Sequence, residues 1–413
     1  MKSMKSVCVC VLVLSGVLLA AKGEQLRTDI NPALLYYQAF LLTPKLSDAD
    51  WDYLVTNNWQ GQKLPERFGS VVSNYDTELQ LLRQAAQQKV SCDWGIDMSP
   101  GAETLLPHLA SAKRAAMGAR FHAMWDLQNG NEAAARDDLI AGLTLGRNVS
   151  QNKTLISVLV EIAIENIVND TVAENFHRFS PETLQQLADG FASAPAWGSV
   201  ASCASTEKLI HNGALARIEE LQKQYRENNA VAIEALRKLL RGTAAVDAKD
   251  EYWNQLTNAA GGTIDGIIKL IRDSEPFTAK AFKIMALPYK EYDEQMQQFS
   301  AEVQKSVNPI VSQELPAWAA CRRREFMSLE DTAMVHAAIE YKLHGEAGLK
   351  SVMDPCGNGS FSFQRFVFDG VDRGFELKSA FNRGKVLEAF IFIENDGTPF
   401  NIMGDRVGQP FSR

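Results

Sequence analysis

Residues 105–143, LLPHLASAKRAAMGARFHAMWDLQNGNEAAARDDLIAGL, decide the fold class of this chain. Apolar residues recur there at spacings of three and four, which is the pattern of one buried helix face. Asn129-Gly130 interrupts the pattern, and a glycine between two such runs is typical of an αα-hairpin. The stretch therefore predicts two antiparallel helices, the first over 102–128, with buried faces made of Leu105, Leu109, Ala112, Ala116, Ala119 and Ala123, and of Ala135, Leu139 and Leu143.

Helical signals dominate on both sides of this hairpin. Asn31 before Pro32 predicts a helix start, because Asn caps a helix and Pro fits its first turn. Ser47 with Asp50 three residues on predicts another start, a weaker form of the capping box. The chain is thus expected to be mainly α, built of stacked helical hairpins, with further helices at 155–176, 181–191, 205–225, 231–240, 252–271, 279–307 with a break at 288, and 316–343.

The pattern changes after Asp354-Pro355, where the apolar residues alternate or become continuous. Strands are predicted at 361–368, 375–378 and 386–393, separated by turns that include Asp369-Gly370 and Asn382-Arg383-Gly384. We expect a small antiparallel sheet packed on the long helix before it. Because the last strand is apolar on both faces, we expect it to be central or covered by that helix.

The first 23 residues have the organisation of a signal peptide. Lys2 and Lys5 precede an apolar run over 7–21, and Ala21-Lys22-Gly23 is a small-x-small ending that predicts cleavage after Gly23. We therefore expect an exported, periplasmic or secreted protein with no stable membrane span after cleavage. The predicted units are the signal peptide (1–23), a helical-hairpin domain (24–313) and a helix with a small sheet (314–413).

Net charge limits the classes of partner that the chain can bind, and cysteine content limits its possible disulfides. The chain has 42 Lys and Arg against 50 Asp and Glu, a net charge of −8, and removal of the signal peptide makes it more acidic. This sign argues against a nucleic-acid partner. Four cysteines outside the signal peptide permit two disulfides in an oxidising compartment, with the pairing open: Cys92, Cys203, Cys321 and Cys356.

Three resemblances rest on short motifs. The segment Cys92-Asp93-Trp94-Gly95, with 105–109 and the Gly130 hairpin, resembles a family of uncharacterised exported bacterial proteins of the planctomycete type. The same hairpin is similar to a tetratricopeptide unit, which has Gly at its turn and Ala shortly after. Residues 338–341, 344–345 and 354–355 are similar to the C-terminal unit of type II secretion pseudopilins. These resemblances imply architecture and compartment; they imply no chemistry.

The candidate catalytic residues each have a structural alternative. Asp93 and Asp97 flank Gly95 beside an aromatic residue, and sugar hydrolysis requires a carboxylate pair, with His108 as a candidate base nearby. Asp in such a loop is more often a turn or cap residue, and a lone helical His is more often a hydrogen-bonded core residue.

Glu161 and Glu165 lie one turn apart on a strongly apolar helix. If they are buried together, the pair demands a metal, a proton or a cation. The expected alternative is an exposed polar stripe, since an amphipathic helix has a solvated side.

His336, Glu340 and His344 recur every four residues and place possible metal ligands along one helix face. A site from His336 and Glu340 is one hypothesis; His344-Gly345 is also typical of a helix C-terminus. Asp396, in a turn before Gly397, is a candidate calcium ligand. No cofactor is predicted.

Two classes of function stay open at this point. The favoured one is a non-catalytic exported scaffold or binding protein of the cell envelope, whose helical grooves bind another protein or a peptide. The alternative is a secreted carbohydrate-active hydrolase or lyase with paired carboxylates. A role in a secretion or surface-assembly apparatus ranks below both.

Overall fold

The structure is a computed structural model that describes residues 29–56, 62–240, 250–381, 389–398 and 400. The signal peptide predicted for residues 1–23 and the turn predicted at 382–384 lie outside the described residues.

The described part is mainly α with a small sheet at its C-terminal end, as predicted. Its helices are α1 Pro32–Leu42, α2 Asp48–Thr56, α3 Gly69–Ser73, α4 Asp76–Ala86, α5 His108–Gln128, α6 Glu132–Val149, α7 Leu155–Glu174, α8 Pro181–Ser193, α9 Ala204–Gln224, α10 Asn229–Leu240, α11 Asp250–Ala259, α12 Ile264–Met285, α13 Tyr289–Val303 and α14 Pro309–Ser351. Its strands are β1 Ser362–Phe368, β2 Val371–Lys378 and β3 Phe390–Ile393.

The predicted N-terminal caps are confirmed. The Asn31 side chain accepts a hydrogen bond from the backbone N–H of Ala33 at 3.1 Å, at the start of α1. Ser47 Oγ accepts from the backbone N–H of Asp50 at 3.1 Å and donates to the Asp50 carboxylate at 2.8 Å. These bonds satisfy donors that the first helical turn leaves without backbone partners.

The αα-hairpin of α5 and α6 is also confirmed, with Gly130 at its turn in the left-handed region (φ 80°). The start of α5 was predicted six residues too early. The helix begins at His108, because Pro107 does not favour a helix interior, and Leu105 is 83% exposed. The remaining predicted face is buried, and its small side chains allow close packing against α6 and α7.

Helix α7 packs against α5, α6, α14 and β3. Its first turn is closed by a reciprocal capping box, in which the Thr154 and Ser157 side chains bond to each other's backbone N–H at 3.2 Å. Because α7 has neighbours on several sides, the polar residues along it have little access to solvent.

Two predicted helix boundaries in the C-terminal half are wrong. The helix predicted over 252–271 is split into α11 and α12, because Gly261 and Gly262 both have positive φ and Thr263 caps α12. The break predicted before residue 279 is absent, since α12 continues through Pro276. The break predicted at Pro288 is confirmed.

The sheet is antiparallel with the order β1-β2-β3. Asp369 and Gly370 both have positive φ (53° and 74°), the geometry that a tight two-residue hairpin requires, as Asp-Gly predicted. Strand β3 lies at the edge of the described sheet, so a central position is wrong; it is covered instead by α7 and α14.

The sheet and the helices share one hydrophobic core. Phe375 and Phe392 stack on each other at 5.1 Å between ring centroids, and Phe176 meets them edge-on at 5.7 and 5.4 Å. Helix α14 contributes Met334, Val335, Ala337, Ala338 and Ile339 to the same cluster, and the boundary predicted at 313/314 falls inside this helix. Among the described residues, no helix combines the length and apolarity needed to cross a bilayer.

Candidate functional site

Asp93 and Asp97 lie on an exposed loop and act locally. Asp93 Oδ1 accepts from the backbone N–H of Gly95 at 2.9 Å. Asp97 accepts from both the backbone N–H and the hydroxyl of Ser99 at 2.9 Å, and these bonds hold the pKa of Asp97 below its usual range. Each aspartate therefore closes a turn two residues long, the role that loop aspartates commonly have.

His108 is a core residue. Its ring stacks on Trp94 at 4.5 Å between centroids, only 1% of the residue is exposed, and burial lowers its pKa to about 4. Its Nε2 lies 3.4 Å from Nδ2 of Asn152. His108 is thus neutral at ordinary pH and is held by the aromatic cluster around Trp94.

Glu161 and Glu165 are both fully buried, so the exposed stripe expected from sequence is wrong. The cation that a buried pair demands is Arg147 on α6, whose Nε donates to Oε1 of Glu165 at 2.8 Å. The Arg147 guanidinium also lies 5.7 Å from the Trp197 ring centroid. Burial raises the pKa of Glu165, and Arg147 opposes that rise.

Glu161 is neutralised by a proton. Burial, followed by repulsion from Glu165, raises the pKa of Glu161 to about 9. The backbone N–H of Gly198 lies 3.1 Å from both Glu161 oxygens, and Ser150 adds a side-chain hydrogen bond. The two glutamates therefore form a polar core that is enclosed by α6, α7 and the segment after α8.

The candidate metal ligands on α14 lie close together, whereas Asp396 near the sheet is paired with other residues. Glu340 lies between His336 and His344, at 3.6 and 3.7 Å from their Nε2 atoms, on an exposed face. Gly345 has a φ of 64° and interrupts the helix after His344, as the sequence indicated. Asp396 pairs with His177 at 2.8 Å and Arg178 at 2.7 Å, so its charge is already compensated.

The four cysteines among the described residues are free thiols, so the disulfides predicted for them are absent from the structure. Cys92 belongs to the aromatic N-terminal core, whereas the other three contribute to the cluster around α12, α13 and α14. Burial raises the pKa of both Cys92 and Cys203 to about 12. These thiols are protonated, apolar core residues.

A cavity of about 900 Å³ lies between α9, α12 and α14. Most of its wall is apolar. Phe282 and Trp318 meet edge-to-face at 4.9 Å between centroids on one side. The other apolar contributors include Ile210, Ile310, Val311 and Leu315.

Polar side chains lie along the α9 and α12 walls of this cavity, and they include Lys208 and Glu275. His211 Nε2 is buried and has no hydrogen-bond partner among the described residues, and burial lowers the His211 pKa. Glu207 accepts from the backbone N–H of Leu155 at 2.7 Å, which fixes its carboxylate at the start of α7. Sequence reasoning missed this site, although Glu207, His211 and Ala214 have the spacing of one helix face.

Comparison of the chain with protein-family models, with curated protein sequences and with solved structures finds no match. The resemblances to planctomycete-type exported proteins, tetratricopeptide units and pseudopilins stay predictions.

Proposed function

We propose that this chain is a non-catalytic binding protein whose ligand site is the cavity between α9, α12 and α14. The observation that carries the proposal is a volume of about 900 Å³ whose wall is mostly apolar, with polar side chains from α9 and α12 along it. Sites for small ligands have this character, with volumes of roughly 300–1,000 Å³ and a small number of placed polar atoms. Binding of an apolar ligand in such a cavity is favourable, because it removes apolar surface of both the ligand and the wall from water.

The wall chemistry favours an amphipathic ligand. Phe282 and Trp318 provide flat apolar surface for its body. The unpartnered Nε2 of His211 provides one hydrogen-bonding position for a polar end. Since a buried polar atom without a partner is costly, a ligand that bonds to His211 recovers that cost.

The arrangement of the candidate acids supports binding over hydrolysis. Asp93 and Asp97 hold turns, and Glu161 and Glu165 are engaged with Gly198 and Arg147. A glycosidase needs two carboxyl groups that face one substrate bond across a cleft.

We propose in addition that binding takes place after export, which the signal-peptide pattern of residues 1–23 supports. N-terminal sequencing of the protein from the organism should give a chain that starts at Glu24. An intracellular chain that starts at Met1 contradicts the proposal.

The binding proposal is tested with N-phenyl-1-naphthylamine, an uncharged apolar dye whose fluorescence rises in apolar surroundings. The unmodified protein should enhance the fluorescence saturably. Ala214→Phe places a large ring at the cavity wall and should weaken binding at least tenfold. The matched control, Ala216→Phe, adds the same ring at an exposed position of the same helix outside the cavity and should bind as the unmodified protein does.

Absence of saturable binding by the unmodified protein contradicts the proposal. Equal binding by Ala214→Phe and Ala216→Phe also contradicts it, since the dye then sits elsewhere. Circular dichroism establishes that both variants keep their helical content.

A further inference from the structure

The α5–α6 hairpin brings an imidazole and two carboxylates together. His122 and Asp126 are one turn apart on α5, and Asp138 lies on α6. His122 and Asp138 are each eight residues from Gly130, so the antiparallel hairpin places them level with one another. One ligand atom from each of the three side chains lies within 4.8 Å of the other two.

Each of these side chains is oriented by a separate partner. His122 Nε2 pairs with Asp76 Oδ1 at 2.9 Å, which leaves Nδ1 facing the cluster. Arg83 Nε donates to Asp138 Oδ1 at 2.8 Å, and Asn131 Nδ2 donates to Asp126 Oδ1 at 3.3 Å. The three remaining atoms converge: Nδ1 of His122, Oδ2 of Asp126 and Oδ2 of Asp138.

One of the converging atoms has no hydrogen bond. His122 Nδ1 lies 2.7 Å from Asp138 Oδ2, so its single hydrogen is engaged there. Asp126 Oδ2 lies 3.1 Å from the same nitrogen but accepts no hydrogen bond among the described residues. The Asp126 side chain is only 10% exposed, and its Oδ2 atom has the ion-pair contact with His122 but no hydrogen bond, so it is free to bind a metal ion.

We propose that His122, Asp126 and Asp138 form a binding site for a divalent transition-metal ion, with Zn²⁺ as the reference ion. Imidazole and carboxylate are both established zinc ligands, and three protein ligands leave one position for water. A carboxylate on the far nitrogen of a metal-bound histidine, as Asp76 is placed here, is the usual orienting partner.

The charges in the cluster agree with a divalent ion. Asp76, Asp126 and Asp138 bring three negative charges against the positive charges of Arg83 and protonated His122, which leaves the cluster one negative charge in excess. A divalent ion that replaces the Nδ1 proton of His122 adds one positive charge and balances the cluster. When the ion binds, a proton from Nδ1 is released to solvent and the nitrogen lone pair forms the metal bond. Donor atoms around a tetrahedral zinc are about 3.3 Å apart, so the 2.7 Å and 3.1 Å separations of His122 Nδ1 from Asp138 and Asp126 need to increase by roughly 0.6 Å and 0.2 Å.

The cluster lies nearest to solvent on its α4 side. The His122 side chain is 12% exposed and that of Asp76, which contacts the far ring nitrogen, is 65% exposed.

The test is metal binding by the full chain after chelator treatment and dialysis, measured with Zn²⁺ by calorimetry and with Co²⁺ by its visible absorption. One equivalent should bind with a tetrahedral Co²⁺ spectrum, and Zn²⁺ should raise the melting temperature. Asp126→Asn should weaken Zn²⁺ binding at least tenfold and remove the thermal shift. The matched control, Asp137→Asn, changes an exposed neighbour and should bind as the unmodified chain does.

A second control addresses the exposed histidines of α14. The double substitution His336→Gln with His344→Gln should leave the tight equivalent unchanged. Loss of that equivalent in this variant overturns the proposal, as does unaltered Zn²⁺ binding by Asp126→Asn or an absence of binding by the unmodified chain. If Asp126→Asn does not fold, Asp76→Asn, at a mostly exposed position, replaces it with the expectation of weaker but measurable binding.

Discussion

Arg147 Nε donates a hydrogen bond to Oε1 of Glu165 at 2.8 Å, in a part of the core where Glu165 is fully buried. The same guanidinium also donates to the backbone carbonyls of Phe191 and Pro195. Arg147 therefore joins α6, α7, α8 and the segment after α8 through hydrogen bonds that are buried or partly buried.

Removal of Arg147 should be strongly destabilising. Arg147→Met leaves the Glu165 carboxylate buried without its cation, which costs about 3–5 kcal/mol of unfolding free energy. The double variant Arg147→Met with Glu165→Leu should recover most of this loss, because no charge is then left buried. Urea denaturation measures both; a single variant within ~1 kcal/mol of the unmodified protein contradicts the assignment.

Glu161 predicts a specific pH dependence. Its pKa is raised to about 9 in the folded protein, above the ordinary value of 4.5 that applies on unfolding. Between these values the folded state holds one more proton than the unfolded state, so stability decreases as pH rises, by at most ~1.4 kcal/mol per pH unit. The decline begins near pH 4.5 and levels off above pH 9.

Glu161→Gln should remove this decline, since the amide keeps the hydrogen bonds without a titrating group. Denaturation at pH 5, 7 and 9 gives the comparison, and the difference between the two proteins should grow with pH. Glu346→Gln, at a position 82% exposed, serves as control and should follow the unmodified protein. Parallel pH profiles for Glu161→Gln and the unmodified protein refute the prediction.

Residue 198 must be glycine because its backbone packs directly against the polar core around Glu161. A Cβ atom at residue 198 meets Ser150 Cβ at 2.5 Å and Glu161 Oε2 at 2.6 Å. Gly198→Ala should therefore destabilise by about 1–3 kcal/mol. Gly213→Ala, in the exposed interior of α9 with open space around it, should stabilise by roughly 0.5–1 kcal/mol. Thermal denaturation that ranks the two variants in the reverse order contradicts the packing described here.

Phe392 links the sheet to the helices, and we therefore expect the sheet and the helices to unfold together. Phe392→Ala removes the ring that contacts Phe176 and Phe375 and should cost about 3–5 kcal/mol. The control is Val367→Ala, at a position 58% exposed on the same sheet, with an expected change within ~0.5 kcal/mol. Far-ultraviolet circular dichroism should show a lower midpoint for the helices in Phe392→Ala; an unchanged helical transition shows that the sheet unfolds separately.

Features set by local backbone rules could be predicted from the sequence. The Asn31 cap, the Gly130 hairpin and the Asp369-Gly370 turn each depend on residues within a few positions of one another. The main local error is the early start predicted for α5. Leu105 fits the apolar spacing of the helix, but Pro107 sets the start of the helix at His108.

Features that depend on distant partners were missed. The sequence around Glu161 and Glu165 is typical of a solvated stripe. Their partners Arg147, Ser150 and Gly198 are distant in sequence, so burial of the pair depends on the tertiary fold. Their polarity alone does not reveal that α7 has neighbours on several sides. The His122 cluster was also missed, although the confirmed hairpin sets His122 opposite Asp138 across Gly130.

Helix α14 takes part in three hydrophobic clusters along its length. Ile310 packs with α10, α11 and α12, Phe326 packs with α13, and Ile339 packs with the sheet. Dissection of the gene into two halves at this helix therefore leaves each product with uncovered apolar surface. The two halves should accumulate as aggregates when expressed apart, and co-expression should be needed to recover either in solution.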